Sequence, residues 1–315
     1  MAGLMLKITR IEPLSPLVTK FRLEDAGGNP LPLFSGGAHV VVEMPDGDVL
    51  RRNAYSLMSD PQDPSGYEIA VRRDDWGRGG SVFMHRNLAE GDTLRVSMPL
   101  NLFGLDLRAR KHVLIAGGIG ITPILAQMRQ LLHLQARFEL HYAARSRSEA
   151  AGLRLLPDLP QVHTHISDEG DRIDLTAILA RQPVGTHVYT CGPERLITSV
   201  ALAGEDLGWP PSALHSEVFQ APPPGSAFTV TLASSDRKVQ VGPHQSLLEA
   251  LEAASVPIDW SCRGGACGRC ETEVTACDGR IEHNDHWLSG DERAAQTKIM
   301  PCVSRFCGEQ LILNR

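Results

Sequence analysis

Apolar residues change their period along this chain, and the changes divide it into three stretches. Over 1–107 they fall in short runs, at 38–42, 68–72 and 93–96, separated by turns of Gly, Pro and Asp. Short strands with frequent turns predict a small antiparallel barrel. Over 108–220 the strand-like runs 113–116, 138–142 and 187–190 alternate with helical stretches, which predicts an α/β unit with a parallel sheet. The first of these runs leads into Gly117-Gly118-Ile119-Gly120. A helix then extends from Thr122 to about Leu134, with Thr122 as N-cap and Pro123 as its first residue.

Pro222, Pro223 and Pro224, followed by Gly225 and Ser226, read as a stiff linker over 221–226. Beyond it, 228–232 and 237–241 are two strands joined by a Ser-Ser-Asp turn. Ser246 caps a helix whose apolar positions are Leu247, Leu248, Ala250, Leu251 and Ala254, and 311–313 is a closing strand. That order predicts a small β-grasp over 227–315.

Composition narrows the class without changing this picture. The chain has 315 residues, 42% hydrophobic and 22% charged, so two or three domains with proper cores are affordable. A net charge of -6 with interspersed signs argues against nucleic acid as a partner. No apolar run approaches the roughly 18 residues of a membrane span, and no leader pattern opens the chain. A cytoplasmic protein with no membrane partner is expected. All seven cysteines lie after residue 190, and six of them cluster after residue 260, at metal-ligand rather than disulfide spacing.

Cys262, Cys267 and Cys270 are spaced Cys-x4-Cys-x2-Cys, and Cys302 follows thirty-two positions later. This is the plant-type spacing of a two-iron, two-sulfur cluster, which needs four thiolates. Gly264, Gly265 and Gly268 suit a loop that must take positive φ and aim N–H groups at sulfur. A structural zinc site is the competing reading, although zinc favours paired Cys-x2-Cys hooks. The glycine turn 117–120 sits between strand and helix, where a dinucleotide's pyrophosphate approaches the positive helix end. Cys191-Gly192-Pro193 follows a later strand at the sheet edge that holds ligands. In the first stretch, Arg51-Arg52-Asn53-Ala54-Tyr55-Ser56-Leu57 puts cations, an aromatic and a hydroxyl on one strand, and Gly77-Arg78-Gly79-Gly80-Ser81 leads into a helix over 82–88. A flavin beside a nicotinamide fits two such phosphate-grade sites.

Taken in order, these motifs closely resemble the phthalate dioxygenase reductase family, the FMN and iron-sulfur reductases that serve Rieske-type oxygenases. The residues carrying the resemblance are Tyr55-Ser56-Leu57, Gly79-Gly80-Ser81, Gly117 through Pro123, Cys191-Gly192-Pro193, Glu217-Val218-Phe219, the four cysteines and Cys302-Val303-Ser304-Arg305. The resemblance implies an FMN-binding barrel over 1–107, an NAD-binding α/β domain over 108–220 and a plant-type ferredoxin domain over 227–315. It implies that NADH reduces FMN, that the 2Fe-2S cluster collects electrons singly, and that a Rieske-type oxygenase, an aromatic-ring dioxygenase or O-demethylase, receives them. Tyr55 is expected to border the flavin ring and Ser56 to sit near its N5. Arg52 and Ser81, with the Gly79 and Gly80 backbone, are expected to hold the phosphate, and Arg72 belongs to the same cofactor set. Gly117, Gly118, Gly120, Thr122 and Pro123 would cradle the nicotinamide cofactor, with Cys191, Gly192 and Pro193 near the ring. Phe219 would cover the flavin and Glu217 orient the reacting rings.

One departure stands out. The family's Arg-x-Tyr-Ser places its arginine two residues before Tyr, whereas Arg52 is three before Tyr55 and faces the other way on a regular strand. Either a bulge absorbs the extra residue, or Arg51 or Asn53 takes the role. A cytochrome P450 or diiron monooxygenase as acceptor, and a zinc-stabilised binding module, are the alternatives. Cys307 competes with Cys302 as fourth ligand, and Cys277 and Cys307 otherwise read as small, partly buried residues. His283 and His286 read as solvated loop residues, and His163 and His165 alternate on a strand with no assigned role. Arg145 and Arg147 follow a strand where the adenosine ribose would lie and could accept a 2′-phosphate or simply be solvated.

Overall fold

The computed structural model describes residues 3–47, 49–219 and 224–315. The chain divides into two compact units, Met1–Phe219 and Gln220–Arg315. The first unit opens with β1 (Gly3–Ser15), β2 (Val18–Asp25), β3 (Ala38–Asp46), β4 (Val49–Ser56), β5 (Tyr67–Arg72), α1 (Gly80–Arg86), β6 (Thr93–Ser97) and β7 (Leu100–Asn101). The strands form an antiparallel sheet in the order β4-β3-β6-β1-β2-β5, with β7 on β3. Alternate residues point inward, and Leu6, Ile8, Phe21, Leu23, Val40, Val42, Met44, Tyr67, Ile69 and Val96 pack into one core. The seven-residue α1 caps that core with Phe83 and Met84. The long β1–β2 hairpin shifts register between Pro13 and Ser15, where a residue without an N–H is tolerated.

A parallel sheet follows, from β8 (Lys111–Gly117), α2 (Ile121–His133), β9 (Phe138–Ala144), β10 (Val162–Ile166), α3 (Leu175–Ala180), β11 (Thr186–Cys191), α4 (Glu194–Asp206) and β12 (Leu214–Glu217). Its order is β10-β9-β8-β11-β12. On β8, Leu114 and Ala116 face α2 with Ile124, Leu125 and Met128, while Val113 and Ile115 face α3 and α4 with Ile178 and Val200. Strand order reverses between β8 and β11, so the crevice at their carboxyl ends is where an open sheet of this kind takes ligands. The helix expected to begin at Pro123 with Thr122 as its N-cap starts two residues earlier. Gly120 is the N-cap, a 3-10 turn over Gly118–Gly120 precedes it, and the Thr122 hydroxyl donates to the Ile119 carbonyl at 3.1 Å instead of capping. α1 likewise begins at Gly80 rather than at residue 82.

The second unit contains β13 (Phe228–Leu232), β14 (Arg237–Val241), α5 (Leu247–Ala253), β15 (Thr272–Cys277), β16 (Arg280–Glu282), α6 (Gly290–Ala295), β17 (Lys298–Ile299), β18 (Arg305–Cys307) and β19 (Gln310–Leu313). β13 pairs antiparallel with β14 and parallel with β19, and α5 packs against them through Leu247 and Leu251. This is the expected β-grasp. Ser246 caps α5 through a reciprocal box with Glu249, at 3.1 and 2.9 Å. The short strands β15 to β18 and α6 were not anticipated. Ala221, Pro222 and Pro223 of the linker expected over 221–226 lie outside the described residues. Gly225 donates to the Pro243 carbonyl at 3.0 Å and the Ser226 carbonyl accepts from Arg305 at 2.8 Å, so both belong to the packed tail unit. Among the described residues no helix is long and apolar enough to cross a membrane.

Candidate functional site

In the tail unit the cysteine loop runs through left-handed backbone at Arg263, Gly265 and Gly268, with φ of 53°, 75° and 73°. Gly264 needs no such conformation, and a buried arginine takes the place expected of it. Arg263 is held there by a bidentate pair with Glu252, both contacts 2.8 Å, and lies over the Trp260 ring at 4.5 Å. Gly268 admits no side chain, because a Cβ would collide with the Trp287 ring.

The four thiols fall into two couples. Cys270 and Cys302 have their sulfurs 3.3 Å apart, and Cys262 is hydrogen-bonded to Cys267. In each couple that bond pulls one thiol down, Cys262 and Cys270, and pushes its partner up. The Gly264 N–H also points at the Cys262 sulfur, at 3.4 Å. Two couples of thiolates are what two bridged irons require, whereas a lone zinc needs its donors around one centre. Among the described residues no three His, Cys, Asp or Glu side chains gather on one point. Leu248, Leu288, Met300 and Val303 seal Cys270 and Cys302 from water. The donor set fits a 2Fe-2S cluster. Cys307, exposed on β18, stands outside it, and Cys277 is half-buried.

On β4 the parity question has a clear answer. β3 and β4 pair from His39↔Ser56 to Asp46↔Val49 without a shift, so no bulge absorbs the extra residue. Arg51, Asn53 and Tyr55 share one face, and Arg52 lies on the other, paired with Glu43 at 2.9 Å. A Cβ on Gly79 would sit 3.0 Å from the Arg51 guanidinium carbon, and one on Gly80 would collide with the Asn53 amide. Arg51 also bonds Asp46 at 2.7 Å and donates to the Arg78 carbonyl. Arg51 and Asn53 therefore stand at the start of α1, and Arg52 does not. Ser81 is engaged by Asp74, whose N–H donates to its hydroxyl at 3.0 Å. Asn53 donates to the Tyr55 hydroxyl at 3.2 Å, and burial pushes that phenol well above its usual range.

At the switch point Gly120 is pressed onto the backbone of Cys191 and Gly192, where a Cβ would overlap the Cys191 carbonyl. Thr122 and Pro123 are buried in the first turn of α2. A cavity of about 890 Å³ opens at Gly117 and Gly118, and Gly120, Thr122 and Pro123 are not among the residues lining it. Its lining includes Arg72, Gly117, Gly118, Gly192, Pro193 and Phe219, together with Arg145, Ser148, His165, Ser167, Asp171 and Arg172. Its size suits a dinucleotide or a large part of one. Cys191 is buried, and its thiol is pushed up by burial and by the neighbouring Glu217, which pairs with it across β11 and β12. Burial raises the Glu217 carboxyl to about 8, against a hydrogen bond from Ser56. Glu217 Oε2 is covered and has no partner among the described residues. Ser56, Cys191 and Glu217, far apart in sequence, thus meet. A buried acid with an unused oxygen beside a hydroxyl and an open cavity fits a flavin and a nicotinamide brought together there.

Residues 97–214 match the family described as dimethylamine monooxygenase subunit DmmA-like, N-terminal domain, and residues 230–307 match the 2Fe-2S iron-sulfur cluster binding domain. The chain is 45% identical to the heme-dependent oxidative N-demethylase beta subunit of Ectopseudomonas mendocina (strain ymp), over 98% of this chain and 97% of that one. It is 38% identical to the phthalate dioxygenase reductase of Burkholderia cepacia, over 99% and 97%. The solved structure of phthalate dioxygenase reductase, described as modular for electron transfer from pyridine nucleotides to [2Fe-2S], superposes with a TM-score of 0.88 at 37% identity, covering 100% of this chain and 98% of that one. The chain belongs to the phthalate dioxygenase reductase-like family.

In this phthalate dioxygenase reductase-like chain, reasoning from sequence missed two positions, His39 and Asp171, whereas Arg51 and Asn53 were the stated alternatives to Arg52 and the unshifted β3–β4 register puts them on the α1 side. His39 faces Ser56 across β3 and β4, buried, its imidazole held down to about 4 by burial and its Nε2 without a partner among the described residues. Asp171 carried no signal beyond its place after a strand. His283, expected in solvent, has a side chain only 6% exposed beside the buried Asp285, at 3.5 Å, whereas His286 is exposed as expected.

Proposed function

We propose that this chain is the reductase component of an oxygenase system, carrying electrons from NADH through FMN and a 2Fe-2S cluster to a Rieske-type oxygenase component in the cytoplasm. The observation that carries this reading is the two-by-two coupling of Cys262 with Cys267 and Cys270 with Cys302, in a chain that also holds a dinucleotide-sized cavity. When bound, the flavin and the cluster supply the conversion of a two-electron hydride donor into single electrons.

The protein's part is to bind, orient and exclude water. Tyr55 borders the flavin ring, while Arg51 and Asn53, with the Gly79 and Gly80 backbone, take the phosphate. Gly117, Gly118, Gly192 and Pro193 let the coenzyme lie close to the sheet edge, and Phe219 covers the ring face. Ser56 and Glu217 form the hydrogen-bonding pair beside the reacting atoms, and below about pH 8 Glu217 is a neutral acid able to donate. Cys191 shapes the floor under the nicotinamide. The working boundaries are 1–107 for flavin, 108–220 for coenzyme and 227–315 for the cluster.

A second acceptor is favoured by one finding, the 45% identity to a subunit of a heme-dependent N-demethylase. Anaerobic titration of the purified holoenzyme with NADH, followed by mixing with Rieske-type and with heme oxygenase components, separates the two. Bleaching of both flavin and cluster bands with reoxidation by the Rieske component supports the first reading. Material without iron and acid-labile sulfide would overturn it.

A further inference from the structure

The tail unit turns one large apolar side chain outward. Among its described residues Trp287 is the only large hydrophobic that is exposed, at 52%. Its indole lies on the cysteine loop, because a Cβ on Gly268 would come within 2.2 Å of the ring. Gly268 stands between Cys267 and Cys270. Of the four thiols, Cys262, Cys270 and Cys302 are buried, and Cys267 is only partly covered. The exposed indole and the least covered ligand therefore share one turn.

The indole is fixed from both sides. Its Nε1–H donates to Glu271 Oε2 at 3.0 Å, the Glu271 N–H donates to the Gly268 carbonyl at 2.9 Å, and Lys298 holds the same carboxylate at 3.0 Å. On the backbone side the Trp287 N–H donates to the buried Asp285 at 3.2 Å, and the neighbouring His286 N–H donates to the Gly265 carbonyl at 3.0 Å. A partner that covers so constrained a ring pays little ordering entropy. The charge around it is uneven. Lys298 serves two carboxylates, Glu271 and, at 2.7 Å, Glu292, while Asp291 has no cation among the described residues. Arg269 and His286 are exposed on the same stretch. Even with Arg269 counted, three acids outnumber two bases. The tail unit repeats that sign, with 12 acidic and 9 basic residues, of which Arg263, Arg305 and Asp285 are buried.

Resting on the electron-delivery reading above, we propose that this turn is where the oxygenase component docks, with Trp287 as the anchor in an apolar recess of the partner and basic side chains of the partner facing Glu271, Asp291 and Glu292. A buried aromatic anchor dominates the energy of many protein interfaces, and a charged rim sets orientation and encounter rate. Leu248, Leu288, Met300 and Val303 close the side of Cys270 and Cys302, so the approach is left at Cys267. A second copy of this chain is a poor occupant. Two copies meeting through this turn about a twofold axis would set acid against acid.

The test uses the full-length holoenzyme and the oxygenase component that reoxidises it in the mixing experiment above. Binding is measured by calorimetry with both proteins oxidised and no NADH present, and electron delivery by stopped flow. Trp287→Ala is expected to raise the dissociation constant and the KM for the component about thirtyfold, with NADH still bleaching flavin and cluster, and Trp287→Phe to recover part of the loss. Native binding should weaken as salt rises; Asp291→Lys, away from the cysteine loop, should weaken it about fivefold and flatten that salt dependence. Native affinity in Trp287→Ala would overturn the anchor while reoxidation by the component left the electron-delivery reading intact. Should Trp287→Ala fail to hold its cluster, the charge results decide, and an affinity indifferent to both salt and Asp291→Lys overturns the docking surface. Sedimentation in which Trp287→Ala changes self-association of this chain, with component binding native, would assign the turn to a second copy and overturn it too. A native holoenzyme reoxidised by no oxygenase component would overturn both readings at once.

Discussion

The cluster loop and the coenzyme crevice are built in opposite ways. Three of the four cluster thiols come from nine consecutive residues whose turns are set locally, by left-handed backbone at Arg263, Gly265 and Gly268. The crevice takes Ser56 from β4, Cys191 from β11 and Glu217 from β12, and none of these has chemical meaning until the strands are side by side. The difference teaches where a site stores its information. The loop carries its own in ligand spacing, while the crevice carries it in register, and a one-residue change of register would put Arg52 where Arg51 stands.

The sharpest way to break the comparison is at the loop. Cys270→Ser should abolish the cluster absorbance and electron delivery to the acceptor yet spare flavin reduction by NADH, as read by anaerobic spectra. Simultaneous loss of both would show that the two sites are not independent. The next effect concerns what holds the loop. Glu252→Gln leaves the Arg263 guanidinium buried without its charge partner and should cost about 3 kcal/mol, seen as earlier thermal loss of the cluster absorbance in the full chain.

At the crevice, Ser56→Ala should slow flavin reduction about tenfold to hundredfold with flavin content unchanged. The paired Glu217→Gln variant tests the proton. Native Glu217 ionises near 8 when folded, so the reduction rate should decline as pH rises through about 8, and the glutamine variant should lack that limb. The unfolded carboxyl ionises at about 4.3, so folding takes up a proton between there and about 8, and this residue's contribution to stability falls as pH rises across that window. The smallest effect separates neighbours. Arg51→Met should weaken flavin binding about tenfold, while Arg52→Met, on the Glu43 side, should leave it within experimental error.

The same contrast explains how much could be read beforehand. The grouping of the four cysteines, the Ser246 cap, the parallel sheet and the glycine turn were legible because each rests on local spacing or on a periodic run. The β1–β2 hairpin was hidden by half-exposed polar residues and a register shift at Pro13. The start of α2 was misplaced because tight packing of Gly120 on Cys191 overrides the preference of Thr122 for a cap. His283 looked like a loop residue, and only the tertiary fold buries it against Asp285. Arg263 was invisible as a backbone specialist, since only its salt bridge to α5 justifies left-handed φ in a side chain of that size.

Arg305 stands three positions after the last cluster ligand, and its guanidinium reaches the carbonyls of Ser226, Gly242 and Gln245. The segment bearing Cys302 is thereby stitched to the residues that begin the tail unit. Assembly of the metal centre should register as slower amide exchange at those opening residues, well away from any sulfur.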